Sequence, residues 1–394
     1  MHLAQTQPCE ICGGMNWKIV VHNEKESVCS GRELVRNDQP LIKGMCENCG
    51  MVYTLRSPLD QDLDKYYTQV YSSKLKTDNY DYVNFAKGKR FGQAVNDFVL
   101  GHEFPRQGRL LDIGCGKGFF EQAFIEKYPD WNVEGVDPSE RSIEIGRQLA
   151  PQANFHCQNF RGEDFPDNQY DLVAMHTVLN RVPPRTFIGA GADLLKRDGV
   201  MSIAIAMLPE APFELYFADH HYMYHSQHLR ALAEEFGLEL VVSDEVGSIW
   251  RYLFRKSGKS TVQREALRRE SERIKHDVLN YALEWRRLFE RVTRLKDAGK
   301  RVAFYGAGTT MMITLAQTEF PRELVFGVYD DNTHKHGEEW WGTHVQPRSE
   351  EISRADAVVL CAGPSGVDVM KCDLMMPEEK LLYFGMPEIA ALNA

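Results

Sequence analysis

Three groups of residues have types and spacing that could do chemistry. Cys9-Glu10-Ile11-Cys12 and Cys46-Glu47-Asn48-Cys49 are C-x2-C pairs, each followed at once by glycine (Gly13, Gly50), with 33 residues between Cys12 and Cys46. Each pair can present two thiolates from a tight turn, the glycine accepts a positive φ, and four soft ligands complete a closed tetrahedral Zn2+ site. Such a site is structural, because no position is left for water. Redox dithiols rarely come in pairs with this punctuation, and Cys29, between the pairs, reads as a spare thiol.

The second group is Asp112-Ile113-Gly114-Cys115-Gly116-Lys117-Gly118, with Asp137 standing 23 residues beyond Gly114. Glycines at 114, 116 and 118 let backbone approach a ligand closely, and a carboxylate at the end of the next strand can accept both ribose hydroxyls. A dinucleotide site favours G-x-G-x-x-G to seat a pyrophosphate. The G-x-G-x-G spacing preceded by Asp112 points instead to S-adenosylmethionine (SAM), whose ammonium group lies near the turn that Asp112 organises. Asn159 and Phe160 can line the adenine, Phe160 equally being core. His176, at the end of Tyr170–Met175, lies where the methyl group would be.

The third group is Phe217-Ala218-Asp219-His220-His221-Tyr222-Met223-Tyr224-His225. Methyl transfer from sulfonium to carbon or oxygen needs a group to take a proton, and histidine with a carboxylate is the usual means near neutral pH. Metal binding lacks a clearly spaced ligand set here, and solvated or structural histidines are the plain alternative. Tyrosines near a cofactor, such as Tyr222, Tyr224 and Tyr71 in the run Tyr66-Tyr67-Thr68-Gln69-Val70-Tyr71, can supply hydroxyls to a polar ligand, although packing is the commoner use.

Alternating strands and helices must position these groups. Arg109–Ile113, Trp131–Val136, Asp171–Met175 and Val200–Ala206 read as strands, with helices at Phe119–Tyr128, Ser139–Leu149 and Gln227–Phe236, which is a doubly wound, mostly parallel sheet. Residues 257–299 read as one long charged helix with a narrow apolar stripe from Leu267 to Leu295. Beyond it, Arg301–Tyr305, Leu324–Tyr329, Ala357–Cys361 and Lys380–Phe384 give a second, smaller Rossmann-like unit. Its turn, Tyr305-Gly306-Ala307-Gly308, has two readings: a cradle for a substrate diphosphate at a helix N-terminus, or packing alone. The expected fold class is α/β, with a zinc module at 1–75, a class I SAM methyltransferase domain at 76–255, and the long helix plus a Rossmann-like substrate domain at 256–394.

The 394 residues carry 46 basic and 56 acidic side chains, a net charge of -10, which argues against a nucleic-acid binder. Val200–Leu208, the longest apolar stretch, is far short of the ~20 residues a membrane span needs. With no signal-peptide pattern and nine cysteines, several in core strands, the expectation is a cytoplasmic enzyme acting on a small molecule. Oligomeric state is not legible.

The order of cysteine module, glycine turn, long helix and second Rossmann-like unit resembles, over nearly the whole chain, the nucleotide-sugar C-methyltransferases that act on 4-keto deoxysugars. Supporting matches are both C-x2-C-G pairs, the D-I-G-C-G-K-G turn, Val178-Leu179 with Val182-Pro183, Tyr305-Gly306-Ala307 and Gly342-Thr343-His344-Val345. The resemblance implies that His220 removes a proton next to a ketone, assisted by Asp219 in the place of the family's glutamate, with His221 next in line if the register slips by one. Phe217 stands where the family has tyrosine, Arg181 where it has histidine, and Thr309-Thr310 where a lysine follows the Y-G-A turn. An arginine at 181 suits a carboxylate or phosphate on the acceptor. O- or N-methylation in natural-product or surface-polysaccharide biosynthesis is the alternative on the same scaffold.

Overall fold

A computed structural model describes residues 8–30, 33–36, 38–59, 65–71, 83–84, 89–258, 264–374 and 376–386. The central sheet is built from β1 (Arg109–Ile113), β2 (Asn132–Asp137), β3 (Asn154–Cys157), β4 (Tyr170–His176), β5 (Leu195–Ala206), β6 (Leu238–Asp244) and β7 (Ile249–Lys256), in the spatial order 3-2-1-4-5-7-6. β1 to β5 are parallel, and their runs of Leu, Val, Ile and Met are buried because helices cover both faces. The strand order reverses between β1 and β4, and the crevice outside their carboxyl ends is where an open α/β sheet receives its ligand.

β7 runs antiparallel between β5 and β6. This pair is absent from the sequence reading because β6 lies at the sheet edge. Its Leu240 and Val241 are exposed, so the apolar signal that marks the parallel strands is blurred there.

The cysteine module is a four-stranded sheet of Trp17–Asn23, Leu41–Cys46, Val52–Arg56 and a fourth strand, Tyr222–Met223, that comes from the far side of the central unit in sequence. The expected boundary near residue 75 therefore divides the sequence but does not divide this sheet. The C-terminal sheet has six strands, centred on Val302–Tyr305 with Val325–Tyr329 and Ala357–Leu360 parallel on either side.

Helix Arg264–Asp297 joins all three units. Ile274 packs against Gly50 of the cysteine module, where an added Cβ would stand 2.6 Å from Ile274 Cγ2. Farther along the stripe, Trp285 is buried against Tyr216, Phe289 and Phe384 and donates to the Pro212 carbonyl at 3.0 Å. Among the described residues, no helix is long and apolar enough to cross a membrane.

Candidate active site and metal centre

The four Sγ atoms of Cys9, Cys12, Cys46 and Cys49 lie within 4.8 Å of one another, with Cys9–Cys49 at 3.7 Å and Cys12–Cys46 at 3.6 Å. A tetrahedron with Zn–S bonds of about 2.3 Å has S···S edges of about 3.8 Å, so the donor set and its spacing fit Zn2+. Backbone bonds from Gly13 N to Cys9 O and from Gly50 N to Cys46 O close the two turns, and both glycines have positive φ, 75° and 80°. Cys29 is buried elsewhere, beside Leu59, Tyr66 and Ala218. Arg185, on helix Pro184–Leu194, fastens the first turn to the central unit by donating to the Glu10 and Ile11 carbonyls while paired with Glu235.

The glycine turn leaves β1 at the switch point. Gly114, Gly116 and Gly118 all have positive φ. An added Cβ would collide with Val178 at Gly114 and with Phe155 and the Gly146 backbone at Gly118, whereas at Gly116 it meets nothing within 4 Å. The outer two glycines thus permit close packing, and the middle one borders open space. Asp137, at the end of β2, accepts Ser139 N at 2.8 Å and Gly116 N at 3.1 Å, so its carboxylate ties the turn to the strand. His176 bonds Ser202 Oγ at 2.9 Å and meets the Phe120 ring edge-on; burial lowers its pKa to about 3 and keeps it neutral. Asn159 is exposed just beyond β3, while Phe160 stacks with Phe165 and packs on Phe187. These residues can hold a nucleoside cofactor along the carboxyl ends of β1 to β4.

Beneath the turn lies an unusual group of acids. Asp112 and Glu121 are buried, and neither Glu121 oxygen nor Asp112 Oδ1 has a hydrogen-bond partner among the described residues. Burial, with the Asp137 charge second, pushes Asp112 up to about 8; burial and then Asp112 push Glu121 well above the usual carboxylate range. Glu121 lies in the first turn of helix Phe119–Lys127, and a Cβ on Gly135 would stand 2.5 Å from its Oε1. A group whose pKa is raised by folding is stabilised below its unfolded value and loses that advantage as pH rises through its folded value. Glu121→Leu should therefore stabilise the SAM-free protein by about 1–3 kcal/mol at pH 8. The gain should shrink toward pH 4, which urea unfolding at the two pH values would read.

The histidine-rich loop is built differently from the sequence expectation. His220 Nδ1 pairs with Glu214, a glutamate only 2% exposed, while His220 Nε2 has no hydrogen-bond partner among the described residues. Glu214 sits in the 3-10 turn Pro212–Tyr216 that Trp285 holds by the Pro212 carbonyl. Asp219, the expected assistant, stands 3.9 Å from His220 Nε2 and is engaged elsewhere: its carboxylate accepts Ser30 N at 2.8 Å, Ser30 Oγ, and the Tyr67 hydroxyl at 2.8 Å. Burial raises Asp219, but the His220 and Arg181 charges and the Ser30 bonds outweigh it and hold the carboxyl below its usual range. The acid that orients His220 is thus Glu214, because the 3-10 turn brings it to Nδ1 while the chain direction at 219 sends its side chain to Ser30.

Arg181 donates to Tyr67 Oη at 2.9 Å, to Ser30 Oγ at 3.2 Å and to the Thr177 carbonyl; burial raises Asp137 against the opposing Arg181 charge, which also helps hold Asp219 down. It bridges the cofactor edge and the base loop, so its positive charge is engaged within the protein. His221 lies against Tyr53, and burial followed by the Lys43 charge lowers it to about 4. Tyr222 is a buried strand residue with its ring 5.1 Å from Tyr53. Tyr224 is wholly buried and donates to the Leu179 carbonyl at 2.7 Å, which corrects the expectation that it meets a ligand: its proton is already committed. Tyr71 ends the π-helical turn Tyr66–Tyr71, and its side chain lies outside the described residues, as do Tyr80 and Tyr82.

In the C-terminal unit the Tyr305 hydroxyl bonds Asp331, and Gly306, with φ 102°, lies where an added Cβ would stand 2.7 Å from the Cys361 carbonyl. Asp330 accepts Ala307 N at 2.8 Å and pairs with buried Lys335 at 2.8 Å. Gly308 precedes helix Thr309–Thr318 and borders open space. Gly306 is therefore a packing position, whereas the backbone at Gly308 remains approachable.

Sequence reasoning missed Glu214, Ser30, Tyr67 and Lys43. Glu214 did leave a signal: it is an acid inside the apolar run Ala211-Pro212-Phe213-Glu214-Leu215-Tyr216-Phe217, where burial demands a partner.

Residues 85–243 match the family described as a methyltransferase domain. The ubiquinone biosynthesis O-methyltransferase of Neisseria meningitidis serogroup C (strain 053442) is 30% identical over 112 residues, 27% of this chain and 47% of that protein. The trans-aconitate 2-methyltransferase of Variovorax paradoxus (strain S110) is 29% identical over 114 residues, 27% of this chain and 42% of that protein. An O-methyltransferase family protein of Burkholderia thailandensis superposes with a TM-score of 0.40 at 13% identity, over 50% of this chain and 64% of its own. The chain spans about half the length of the curated relatives it matches, and the family match at 85–243 takes in β1 to β5 of the central sheet.

Proposed function

We propose that this chain, which carries a class I SAM methyltransferase domain, methylates a carbon next to a carbonyl on a small acceptor, with His220 as general base and Glu214 as its orienting carboxylate. The observation that carries this reading is the asymmetry of the imidazole: Nδ1 is fixed by Glu214 and Nε2 is left without a partner among the described residues. With its proton on Nδ1, held by the carboxylate, the ring keeps a lone pair on Nε2 and can remove a C–H proton as the acceptor's electron pair moves toward the carbonyl oxygen. Gly116, Asp137 and Asn159, with Asp112, would hold SAM, which when bound would supply an electrophilic methyl group. Arg181 and Tyr67 keep the base loop against the cofactor edge, and neutral His176 puts no charge beside the positive sulfonium.

The acceptor class that the chain-wide resemblance favours is a nucleotide-linked 4-keto deoxysugar, with the C-terminal glycine turn taking its diphosphate at Gly308. A second reading, O-methylation, draws on the relatives named as O-methyltransferases; there the same Nε2 takes a hydroxyl proton. One experiment separates them. In D2O with SAM withheld, the protein should exchange deuterium into the carbon next to the ketone of a keto-deoxysugar nucleotide, and adding SAM should yield S-adenosylhomocysteine. Turnover without any exchange, on an acceptor whose hydroxyl gains the methyl, would replace the first reading with the second.

A further inference from the structure

The residue that fixes the His220 main chain comes from the cysteine module. Lys43, on strand Leu41–Cys46, is wholly buried, and its Nζ donates to the Phe217 carbonyl at 2.6 Å, the His220 carbonyl at 2.7 Å and Thr54 Oγ1 at 2.7 Å. Thr54 gives its own hydroxyl proton to the same His220 carbonyl at 2.8 Å, so its oxygen can only accept from Lys43. Three acceptors require three donors, which is the ammonium form and not the neutral amine. A bare buried charge would be costly, and here three hydrogen bonds offset it.

Four charged side chains surround His220: Glu214 on Nδ1, Asp219 at 3.9 Å from Nε2, Lys43 on the carbonyl, and Arg181 behind Asp219, with His221 and the Tyr67 phenol as the other titratable neighbours. Strands Leu41–Cys46 and Val52–Arg56 carry Lys43 and Thr54, and the turn between them holds Cys46 and Cys49.

We propose that Lys43 is a positioning residue, which holds the His220 backbone through the Phe217 and His220 carbonyls and so fixes where the ring and its Nε2 stand. The proposal rests on the reading of His220 as the base, but its test does not. 15N-histidine NMR of the zinc-loaded protein, with the His220 signals identified by their absence in His220→Gln, reads the tautomer and the mobility of the ring. In Lys43→Met, the His220 ring signals should broaden severalfold or split, because the Phe217 and His220 carbonyls lose the donor that holds them. Zinc content and SAM binding by calorimetry should match the parent. Thr54→Val, which removes one donor to the carbonyl without removing the charge, should broaden the His220 signals, and Thr54→Ser should restore them. A Lys43→Met protein with parental zinc and SAM binding and sharp, parental His220 signals overturns the proposal. If Lys43→Met does not fold, sharp parental His220 signals in Thr54→Val overturn it instead. Absence of SAM binding in the parent would sink the methyltransferase reading and leave the role of Lys43 to stand or fall on the NMR result.

Discussion

His220→Gln is expected to lower methyl transfer by about 10²-fold or more while SAM still binds with parental affinity. The loss follows from the site: His220 has its Nδ1 fixed by Glu214 and its Nε2 without a partner among the described residues, on the loop that Arg181 ties to the cofactor edge, and glutamine cannot take a proton there. Glu214→Gln should cost less, about tenfold, because the amide still meets Nδ1 but no longer steadies the cation that forms when Nε2 takes its proton. Single-turnover rates with SAM and acceptor saturating, beside SAM calorimetry, separate chemistry from binding. Near-parental turnover in His220→Gln would remove it from the base role.

Loss of the cysteine site, whose four thiolates fit Zn2+, is the second large expectation. Structural zinc in small four-cysteine modules carries about 10 kcal/mol or more of apparent binding energy, which is folding energy for the module. Here the consequence extends to activity, because Lys43, Thr54, Ser57 and Ser30 all bond the segment 217–220 from within that module. Chelator treatment or Cys46→Ser should release one equivalent of Zn2+, lower the thermal midpoint, and abolish turnover, while the glycine turn, built wholly within the central unit, should keep measurable affinity for SAM. Full activity in a metal-free protein would show that the loop holds its shape without the module.

The two expectations differ in how far the sequence announces them. The cysteine pairs and the glycine turn are legible because their chemistry is local: two ligands sit three residues apart, and a positive φ needs glycine wherever the rest of the chain lies. Buried parallel strands are legible for the same reason, as short apolar runs. The partners of His220 are not. Glu214 reaches Nδ1 through a 3-10 turn whose placement depends on Trp285, 71 residues downstream, and Ser30, Lys43 and Thr54 arrive from another sheet. Adjacency of Asp219 and His220 in sequence suggests a hydrogen-bonded pair, yet Asp219 stands 3.9 Å from Nε2 with its carboxylate bonded to Ser30 and Tyr67. Tyr224 illustrates the reverse error, since a tyrosine in a polar-looking cluster is buried with its hydroxyl closed onto Leu179.

The strand Tyr222–Met223 completes the cysteine-bearing sheet by pairing with Val52 and Tyr53. Two stretches separated by some 170 residues of sequence therefore share one hydrogen-bonded surface, and neither has its full complement of partners alone. Any exchange of the amino-terminal unit between related proteins would have to carry the histidine loop along with it, or pass through a form with a frayed sheet and an unanchored base. Recombination at the apparent seam near residue 75 is thus disfavoured by geometry, and lineages bearing this architecture should vary the two stretches in step.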